Sequence, residues 1–459
     1  MSTSGETAHD VVVVGAGFAG LNTACILARK GVDVAVLEAR PRVGGRVCTE
    51  QRPSGAVIDL GGQWIGPGQD RLQELADRYG VTTFPTYTTG HGVEVREGKH
   101  STYGGLVPTS DPAAAAEGIE AIFDLDLASQ DVSLHAPWET TDATALDDQT
   151  LGSWLAGRLE SPAARAMIDT AVKGIFGAEP GELSLLYTLF YLRSGGGLMN
   201  LARTTGGAQE RRFDGGAQQL ALRLADELGS RVVLSAAVRA VDYGGGLVAL
   251  HVDGADGERM VRARQVVIAM PPALSARIAW SPELPPARQH LAMRAPMGAV
   301  IKVHAVYDRP FWREDELNGQ LVADEGALRL TFDDSPQDAA HGVLVGFVAG
   351  RQCQELERMS DAQRRQVILD DLVRAFGPRA ERPIDLHEQR WCTEPFTRGG
   401  PVTIFSPGML TSCGVALREP VGPIHWAGTE TALEWTGYID GALSSGIRAA
   451  GEVAAALGG

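Results

Sequence analysis

The sequence predicts an α/β fold in which a parallel sheet, with a small antiparallel layer beside it, is interleaved with a mixed α+β region. Near the start, Asp10 to Val14 is a short β-branched run, typical of a strand buried on both faces of a parallel sheet. Further on, alternation of apolar and polar residues over Arg231 to Pro272 indicates antiparallel strands. Because no low-complexity linker separates the blocks, we expect the units to be interleaved along the 459-residue chain.

A βαβ unit opens the chain. The strand Asp10 to Val14 is followed by the turn GAGFAG and by Leu21 to Lys30, which has helical composition. Gly31 suits the position just past a helix end, and Val32 to Leu37 returns as a second strand that closes at Glu38. Parallel strands need a crossover of this kind, so we expect the two to lie in one sheet.

The remaining elements are less regular. Phe84 to Arg212 reads as mainly helical, with apolar helical patterns at Ala113 to Phe123 and Pro162 to Ile175. The strands of the antiparallel layer are joined by Gly-containing turns and end in VVIAMPP. A final strand is predicted at Ile424 to Gly428, before a helical segment from Gly441 to Leu457.

Charge and composition argue against several classes of protein. The formal net charge is −16 and the pI is near 5.1, so the field repels phosphate backbones and we expect no nucleic-acid partner. The five cysteines are scattered and the histidines form no His-x-x-x-His pair, which argues against a disulfide framework and a metal site. Met1 to Asp10 shows no secretion signal, and no apolar stretch approaches the roughly 20 residues of a membrane span. We therefore expect a cytoplasmic protein without a membrane partner.

The glycines of GAGFAG indicate where a dinucleotide binds. Gly15 makes the tight turn after the strand, Gly17 lets the backbone approach a pyrophosphate, and Gly20 lets the helix pack closely on the strand. Glu38 ends the second strand where an acid that binds a ribose belongs. The motif predicts a dinucleotide at a helix N-terminus, and by itself it leaves flavin and nicotinamide cofactors open.

The sequence blocks after Glu38 distinguish between a flavin and a nicotinamide cofactor. The chain reads ARPRVGGR and then, from Leu60, LGGQWIGPGQDRL, a succession that nicotinamide dehydrogenases do not carry. The chain thereby resembles the flavin amine oxidase family, which contains monoamine oxidases and putrescine oxidase. The resemblance continues over nearly the whole chain through TTGGAQERRF (Thr204 to Phe213), VIKVHAVYDRPFWR (Val300 to Arg313), RWCTEPF (Arg390 to Phe396) and WAGTETALEWTGYIDGA (Trp426 to Ala442).

The resemblance implies an FAD-dependent amine oxidase. Such an enzyme oxidises a primary monoamine, with secondary amines left open, to an imine that hydrolyses to an aldehyde or ketone, and it reduces O2 to H2O2. It also implies a Rossmann-type FAD-binding domain, which the order of the motifs makes discontinuous. Its predicted segments are 1–83, 214–288 and 394–459, and the mixed α+β substrate domain takes 84–213 and 289–393.

The FAD contacts are carried over from the family residue by residue. Arg46 of the GGR turn is expected beside the pyrophosphate, Trp64 beside the flavin ring, Ile439 near the pyrimidine edge of the ring, and the backbone of Val238 beside the adenine. The full predicted set is Gly15, Gly17, Phe18, Ala19, Gly20, Glu38, Ala39, Arg40, Gly45, Arg46, Gly62, Gln63, Trp64, Val238, Trp391, Gly428, Thr429, Glu430, Tyr438 and Ile439.

Three residues are implied in catalysis. Lys302 lies in the apolar pattern VIKVHAV, where the pattern alone favours an exposed lysine on a half-buried strand. Its family counterpart instead holds a water against flavin N5 and assists the reaction with oxygen. Tyr438 matches one wall of the aromatic cage that flanks the substrate amine, and Trp391 matches a tryptophan packed near the flavin. Core packing is the alternative for both aromatic residues.

Two positions depart from the family pattern. Monoamine oxidases carry a Gly-Gly-Cys-Tyr run whose cysteine bonds to the flavin, whereas this chain has Pro401 and Val402 after its two glycines. Proline offers no nucleophile, so FAD is expected to be held non-covalently. Because Val402 stands where the second cage wall would be, we expect half of the cage to be missing and a bulkier or alicyclic amine to fit.

The resemblance also implies an apolar substrate pocket, which disfavours the charged form of the amine. Gln209 is its main polar group, and Leu330 stands near the place where diamine-selective relatives have an acid, which argues against putrescine. The predicted lining is Ile175, Phe176, Gln209, Leu330, Phe332, Phe347, Pro401, Val402 and Tyr438.

Two alternative functions share this fold. A flavin L-amino-acid oxidase needs a cation for the substrate carboxylate, for which Arg203 is the candidate. A flavin dehydrogenase or desaturase would pass its electrons to an acceptor other than O2. Assembly as a homodimer is left open.

Overall fold

Two large sheets organise the chain in the computed structural model, which describes residues 7–105, 107–108, 110–255 and 257–458. The first six residues of the segment Met1 to Asp10, in which the sequence shows no secretion signal, lie outside the described part. The strands are β1 (Thr7–Val14), β2 (Val34–Leu37), β3 (Thr49–Gln51), β4 (Val57–Asp59), β5 (Trp64–Ile65), β6 (Thr83–Pro85), β7 (His91–Arg96), β8 (Lys99–Tyr103), β9 (Arg211–Phe213), β10 (Val232–Val233), β11 (Ala237–Asp242), β12 (Val248–Gly254), β13 (Gly257–Ala269), β14 (Ala279–Ser281), β15 (Val300–Tyr307), β16 (Leu317–Ala323), β17 (Leu330–Asp333), β18 (Gly342–Ala349), β19 (Asp385–Arg390) and β20 (Ile424–Ala427).

The helices form apolar cores with the sheets and with one another. They are α1 (Phe18–Arg29), α2 (Asp70–Tyr79), α3 (Pro112–Ser129), α4 (Ala143–Asp147), α5 (Leu151–Ala156), α6 (Pro162–Phe176), α7 (Leu185–Ser194), α8 (Leu198–Ala202), α9 (Gln218–Leu228), α10 (Pro272–Ser275), α11 (Pro286–Arg294), α12 (Arg351–Leu356), α13 (Asp361–Phe376), α14 (Met409–Cys413) and α15 (Ile439–Gly458). Among the described residues, no helix combines the length and the apolar composition needed to cross a lipid bilayer.

The first sheet contains the predicted βαβ unit and runs in the order β10-β2-β1-β13-β12-β11-β14. β1 pairs in parallel with β2 on one side and with β13 on the other. β13 pairs antiparallel with β12 along Gly257–Ala263 and in parallel with β20 along Val266–Ala269. The parallel sheet and the antiparallel layer that the sequence predicts therefore meet on one long strand.

The helix of the βαβ unit begins three residues earlier than the sequence indicates, at Phe18 directly after Gly17. α1 and α15 pack against each other, and their apolar faces share one core with β1. This packing leaves the start of α1 at the carboxyl end of β1. Ligands of open α/β sheets bind at that edge.

The second sheet runs in the order β19-β15-β18-β17-β16-β7-β8. β15 is buried at all eight positions, so its lysine is not on a half-buried strand. The prediction of a mainly helical stretch from Phe84 to Arg212 misses the hairpin of β7 and β8, which joins this sheet because β7 pairs in parallel with β16. A partner more than 200 residues away leaves no local signal in the sequence.

The two helical patterns of the middle region are confirmed as α3 and α6. Each has a proline in its first turn and a side-chain cap, since Asp111 accepts a hydrogen bond from Ala114 N at 3.0 Å and Ser161 accepts one from Ala164 N at 3.3 Å. With α7 and α8 these helices form the largest apolar core. One side of that core faces the space between the two sheets.

Candidate active site

One cavity of about 730 Å³ runs from the carboxyl end of β1 to the second sheet. Gly15 and Glu38 line one part of it, and Lys302 with Phe347 lines another. Helices α6, α7 and α8 contribute Ile175, Tyr191 and further apolar residues. The sequence blocks that lie far apart in the chain thus meet around a single space.

The glycine turn fits a bound pyrophosphate. Gly15 has φ +106°, and a side chain there would also meet Ala269 O at 2.6 Å. At Gly17 an added Cβ would meet nothing within 4 Å, so the backbone is open to the cavity. Since α1 begins one residue later, its free N–H groups and dipole favour a phosphate at this point.

Gly20 serves packing and does not line the cavity, so its predicted place among the cofactor contacts needs correction. An added Cβ would lie 2.0 Å from Gly15 O and 3.1 Å from the side chain of Val13. The residue is buried between helix and strand. Its contribution is to bring α1 close to β1, as the sequence argument for the third glycine states.

Glu38 is fixed at the end of β2 by two backbone donors. Ala16 N donates to Oε2 at 2.7 Å and Arg40 N donates to Oε1 at 2.9 Å. The side chain is 5% exposed and lines the cavity. Its remaining lone pairs can accept hydrogen bonds from ribose hydroxyls.

Arg46 is held by Glu430, on the far side of the cavity wall. Its two terminal nitrogens donate to the two carboxylate oxygens of Glu430 at 2.7 and 3.0 Å, and Nη1 also donates to Pro401 O at 3.0 Å. Arg46 lines the cavity, whereas Glu430 is buried behind it. Glu430 thus orients the arginine, and its own contact with FAD stays a prediction.

Lys302 is a buried cation at the other part of the cavity. Its Nζ donates to Asp59 O at 2.6 Å, to Gly61 O at 2.7 Å and to Gln63 Oε1. Burial lowers the pKa of Lys302 to about 8, and the negative charges of Asp334 and Asp59 oppose that shift. The three acceptors match the three N–H groups of an ammonium.

An aromatic wall stands beside the lysine. The ring of Trp64 lies 5.4 Å from Phe332 and 6.1 Å from Phe347, measured between centroids, and all three rings line the cavity. Lys302 Nζ lies 5.7 Å from the Trp64 ring and 5.8 Å from the Phe347 ring. Trp391 closes the same region and donates from Nε1 to Leu60 O at 2.9 Å.

Tyr438 projects into the cavity from the residue before α15. Its ring packs edge-on against Trp435 at 5.1 Å and lies 6.4 Å from the ring of Tyr191, which also lines the cavity. Burial raises the pKa of Tyr438, so it stays a neutral phenol. The sequence reasoning missed Tyr191, because α7 is buried at every position except Arg193 and nothing in its sequence distinguishes a cavity residue from a core residue.

Two predicted pocket residues point away from the cavity. Phe176 is fully buried and packs on Tyr187 and Tyr191, with ring centroids at 6.1 and 4.5 Å. Val402 is also fully buried, in the same helical core. Each follows a residue that does line the cavity, Ile175 in α6 and Pro401 in a bend. In the helix, consecutive side chains point in different directions. The missing cage wall at Val402 is therefore not an opening in the cavity.

The other predicted site residues do line the cavity. Gln209 is half-buried, donates from Nε2 to Leu201 O at 2.8 Å, and keeps its Oε1 without a partner among the described residues. Arg203, the candidate carboxylate ligand, is exposed at the cavity. The further members are Phe18, Ala19, Ala39, Arg40, Gly45, Gly62, Gln63, Val238, Leu330, Gly428, Thr429 and Ile439.

Acidic and basic side chains are unevenly distributed around the cavity. Among the described residues that line it, Glu38 is the only carboxylate, and it lies beside the glycine turn. Arginines accompany it there, which suits an anionic diphosphate. In the described part of the chain, no group of three or more His, Cys, Asp or Glu side chains is placed to hold a metal ion.

A dinucleotide-binding turn that opens into the same cavity as a buried lysine and a wall of aromatic rings defines a flavin-dependent oxidoreductase. Residues 18–454 match the model of the family described as flavin containing amine oxidoreductase. The chain therefore belongs to that family, and it is an FAD-dependent amine oxidase. The family, fold class, cofactor and reaction class that the sequence predicts are confirmed.

Curated relatives and solved structures agree with this family. The chain is 42% identical over 448 residues to a Mycobacterium tuberculosis protein named flavin-containing monoamine oxidase, covering 98% of this chain and 97% of that one. It is 34% identical to the putrescine oxidase solved with putrescine, with a TM-score of 0.94 over 98% of this chain and all of that one. Cyclohexylamine oxidase from Brevibacterium oxydans gives 35% identity and a TM-score of 0.93 over the same shares.

Proposed function

We propose that the enzyme oxidises monoamines with an apolar body and holds its FAD non-covalently. The observation that carries the substrate class is the lack of a carboxylate in the substrate part of the cavity, since among the described lining residues only Glu38 is acidic. A diamine would bring a second ammonium into this apolar space. Burial of that charge without a partner is costly.

The cofactor is held by the backbone and by fixed charges. Gly17 and the start of α1 support binding of the diphosphate, Glu38 that of a ribose, and Arg46 adds a cation to the same region. When bound, FAD supplies the acceptor for the two electrons that leave the amine. Pro401 lines the cavity at the position where covalent relatives have cysteine, and proline has no thiol that could form a thioether with the flavin.

The substrate amine has to be neutral to give up hydride from its α-carbon, because the ammonium has no lone pair. The apolar cavity favours the neutral form by desolvation. Tyr438, with the ring of Tyr191 packed 6.4 Å from it, supports one aromatic wall for the amine, and the second wall stays missing at the position of Val402. The unpartnered Oε1 of Gln209 can accept an N–H of the substrate.

Lys302 acts on the oxygen side of the reaction. Negative charge develops as O2 is reduced, and a fixed cation in a water-poor site stabilises it. The ammonium of Lys302 is the buried cation beside the aromatic wall, where the resemblance places the flavin ring. Its three protein acceptors hold it in place without reorganisation during the reaction.

A peroxide-coupled assay with cyclohexylamine, benzylamine, putrescine and L-leucine tests the substrate class. We expect kcat/KM for the two monoamines to exceed that for putrescine about tenfold or more, because the distal ammonium lacks a partner. Leu330→Asp is the matched variant, since it adds a carboxylate to the lining. It should raise kcat/KM for putrescine relative to that for the monoamines. Peroxide from L-leucine and not from either monoamine would favour the amino-acid oxidase and overturn the proposal.

The division of the chain follows its sheets. Every strand of the first sheet lies within 1–83, 214–288 or 394–459, and every strand of the second lies within 84–213 or 289–393. This distribution supports the predicted FAD-binding and substrate domains. A homodimer and a cytoplasmic location stay predictions, and light scattering of the purified enzyme tests the first.

A further inference from the structure

The side chain that fixes the active-site lysine is itself fixed by a buried acid. Gln63 Nε2 donates to Asp334 Oδ1 at 2.6 Å, while Gln63 Oε1 accepts from Lys302 Nζ. Asp334 does not line the cavity, whereas both of the other residues do. We propose that Asp334 is a positioning residue for Lys302, whose carboxylate orients the Gln63 amide and whose negative charge favours the ammonium form of the lysine.

The orientation of the amide follows from the chemistry of its two neighbours. A carboxylate only accepts hydrogen bonds and an ammonium only donates them, so the nitrogen of Gln63 must face Asp334 and the oxygen must face Lys302. Gln63 is 1% exposed, and the side chain of Asp334 is 3% exposed. In such a site an amide turned the other way would leave two buried donors face to face, which is costly.

Arg212 keeps the carboxylate in place. Its Nη1 donates to Asp334 Oδ1 at 2.8 Å and to the backbone oxygen of Asp334 at 2.7 Å. Arg212 lies in β9, which pairs with β5 at Trp64, the neighbour of Gln63. Gln63 therefore precedes a strand of this small sheet, whereas Asp334 directly follows β17 and Lys302 lies in β15, both in the second large sheet.

The other charged groups around Lys302 do not replace Asp334. The carboxylate of Asp59 accepts from Thr49 Oγ1 and Ala217 N, so only its backbone oxygen contacts the lysine. Arg212 is a cation and opposes the ammonium. His304 lies two residues along β15 with its Nε2 at 3.8 Å from Asp334 Oδ2, and burial together with the cations Lys302 and Arg212 lowers its pKa, so it is neutral and does not cancel the acid.

Asp333 provides a matched control next to Asp334. It is equally buried, but it accepts from Trp312 Nε1 at 2.8 Å and from Arg313 Nε at 2.8 Å, and it has no hydrogen bond to Gln63 or Lys302. Asp333→Asn should destabilise the fold without changing the titration midpoint of Lys302. Asp334→Asn should lower that midpoint.

The inference rests on the proposed oxygen-side role of Lys302, but its first test does not. The chain has four lysines, Lys30, Lys99, Lys173 and Lys302, so lysine labelled with ¹³C and ¹⁵N gives few NMR signals in the holoenzyme. Lys302→Met assigns the signal of Lys302. Lys173, paired with Asp169 and Glu179, is an internal reference whose signal should not differ between variants.

The titration midpoint of Lys302 is the deciding measurement. We expect about 8 in the parent enzyme, a value about one unit lower in Asp334→Asn, and no change in Asp333→Asn. Equal midpoints in the parent and in a folded Asp334→Asn enzyme overturn the inference. If Asp334→Asn does not fold, Gln63→Met decides, because it breaks the bridge while keeping the pair of Asp334 and Arg212, and an unchanged midpoint there overturns the inference as well.

Stopped-flow reoxidation with O2 supplies the second readout. In Asp334→Asn, the pH at the midpoint of the reoxidation profile should fall together with the NMR midpoint of Lys302. The KM for amine should stay near that of the parent. A lower midpoint with an unmoved oxygen profile overturns the positioning role. If Lys302→Met reoxidises at the parent rate, the proposed function of the lysine fails, and the NMR result for Asp334 still stands or falls by itself.

Discussion

Arg46 and Glu430 form a two-pronged ion pair that couples the GGR turn to the last part of the chain, with N–O distances of 2.7 and 3.0 Å. The glutamate side chain is 1% exposed and the arginine 23% exposed, so the acid is the buried anchor and the arginine faces the cavity. The residues that the sequence treated as two separate cofactor contacts act as one unit.

Glu430→Gln should weaken FAD binding by about tenfold, because a neutral amide holds the guanidinium less firmly and cannot pair with it in the same two-pronged geometry. Fluorescence titration of the apoprotein with FAD measures the change. Arg46→Lys is the companion variant. Although it keeps the positive charge, it should also bind FAD less tightly than the parent, since an ammonium lacks the planar fork. Parent-like affinity in both variants contradicts the assignment.

FAD should leave the protein when the chain unfolds. Pro401 provides no thiol at the position of the covalent link in monoamine oxidases, so acid precipitation is expected to leave yellow FAD in the supernatant. Absorbance of the two fractions checks this. Flavin that stays with the precipitated chain, and that survives gel electrophoresis in denaturant, would show that another residue forms the bond.

The reaction with oxygen should depend on pH through Lys302. Burial lowers the pKa of this lysine to about 8, so the ammonium is present below that pH and is lost as the pH rises through it. If the ammonium is the active form, the rate constant of flavin reoxidation falls about tenfold between pH 7 and pH 9. Stopped-flow absorbance follows the rate.

Lys302→Met serves as the test of that assignment. It should slow reoxidation about 100-fold, the usual effect of removing one stabilising group, and it should remove the inflection near pH 8. Amine binding should change little, because the lysine contacts protein oxygens and not the aromatic walls around Tyr438. An inflection that persists in the variant assigns the titration to another group.

Tyr438→Ala should reduce amine turnover about tenfold or more while FAD stays bound, since it removes one aromatic wall from the cavity. Tyr438→Phe is the control and should retain most of the activity, because the ring and not the hydroxyl forms the wall. Anaerobic reduction by the amine gives the rate, and the visible spectrum gives the FAD content. Equal rates in the alanine variant and the parent would falsify the cage assignment.

The sequence predicted the parts of the fold that have a local period or motif. The βαβ unit around Gly15 and the helices α3 and α6 follow from apolar spacing, capping residues and glycines. The pairing of β7 with β16 depends on contacts between segments far apart in the chain, and no local pattern encodes it.

The candidate site shows a second limit. Matching positions to a family identifies a residue but not the direction of its side chain, so Ile175 and Phe176 were both placed in the pocket although only the first faces it. The same holds for Pro401 and Val402. Tyr191 and Asp334 carried no motif that separates them from core residues, and their roles follow from distances alone.

Anaerobic mixing of the purified enzyme with cyclohexylamine tests the central claim most directly, because it isolates electron transfer from amine to flavin. The account predicts that the flavin absorbance near 450 nm disappears, on the order of one flavin per amine oxidised, and returns with H2O2 when O2 is admitted. An absorbance that stays constant with every neutral monoamine, while L-amino acids bleach it, contradicts the account.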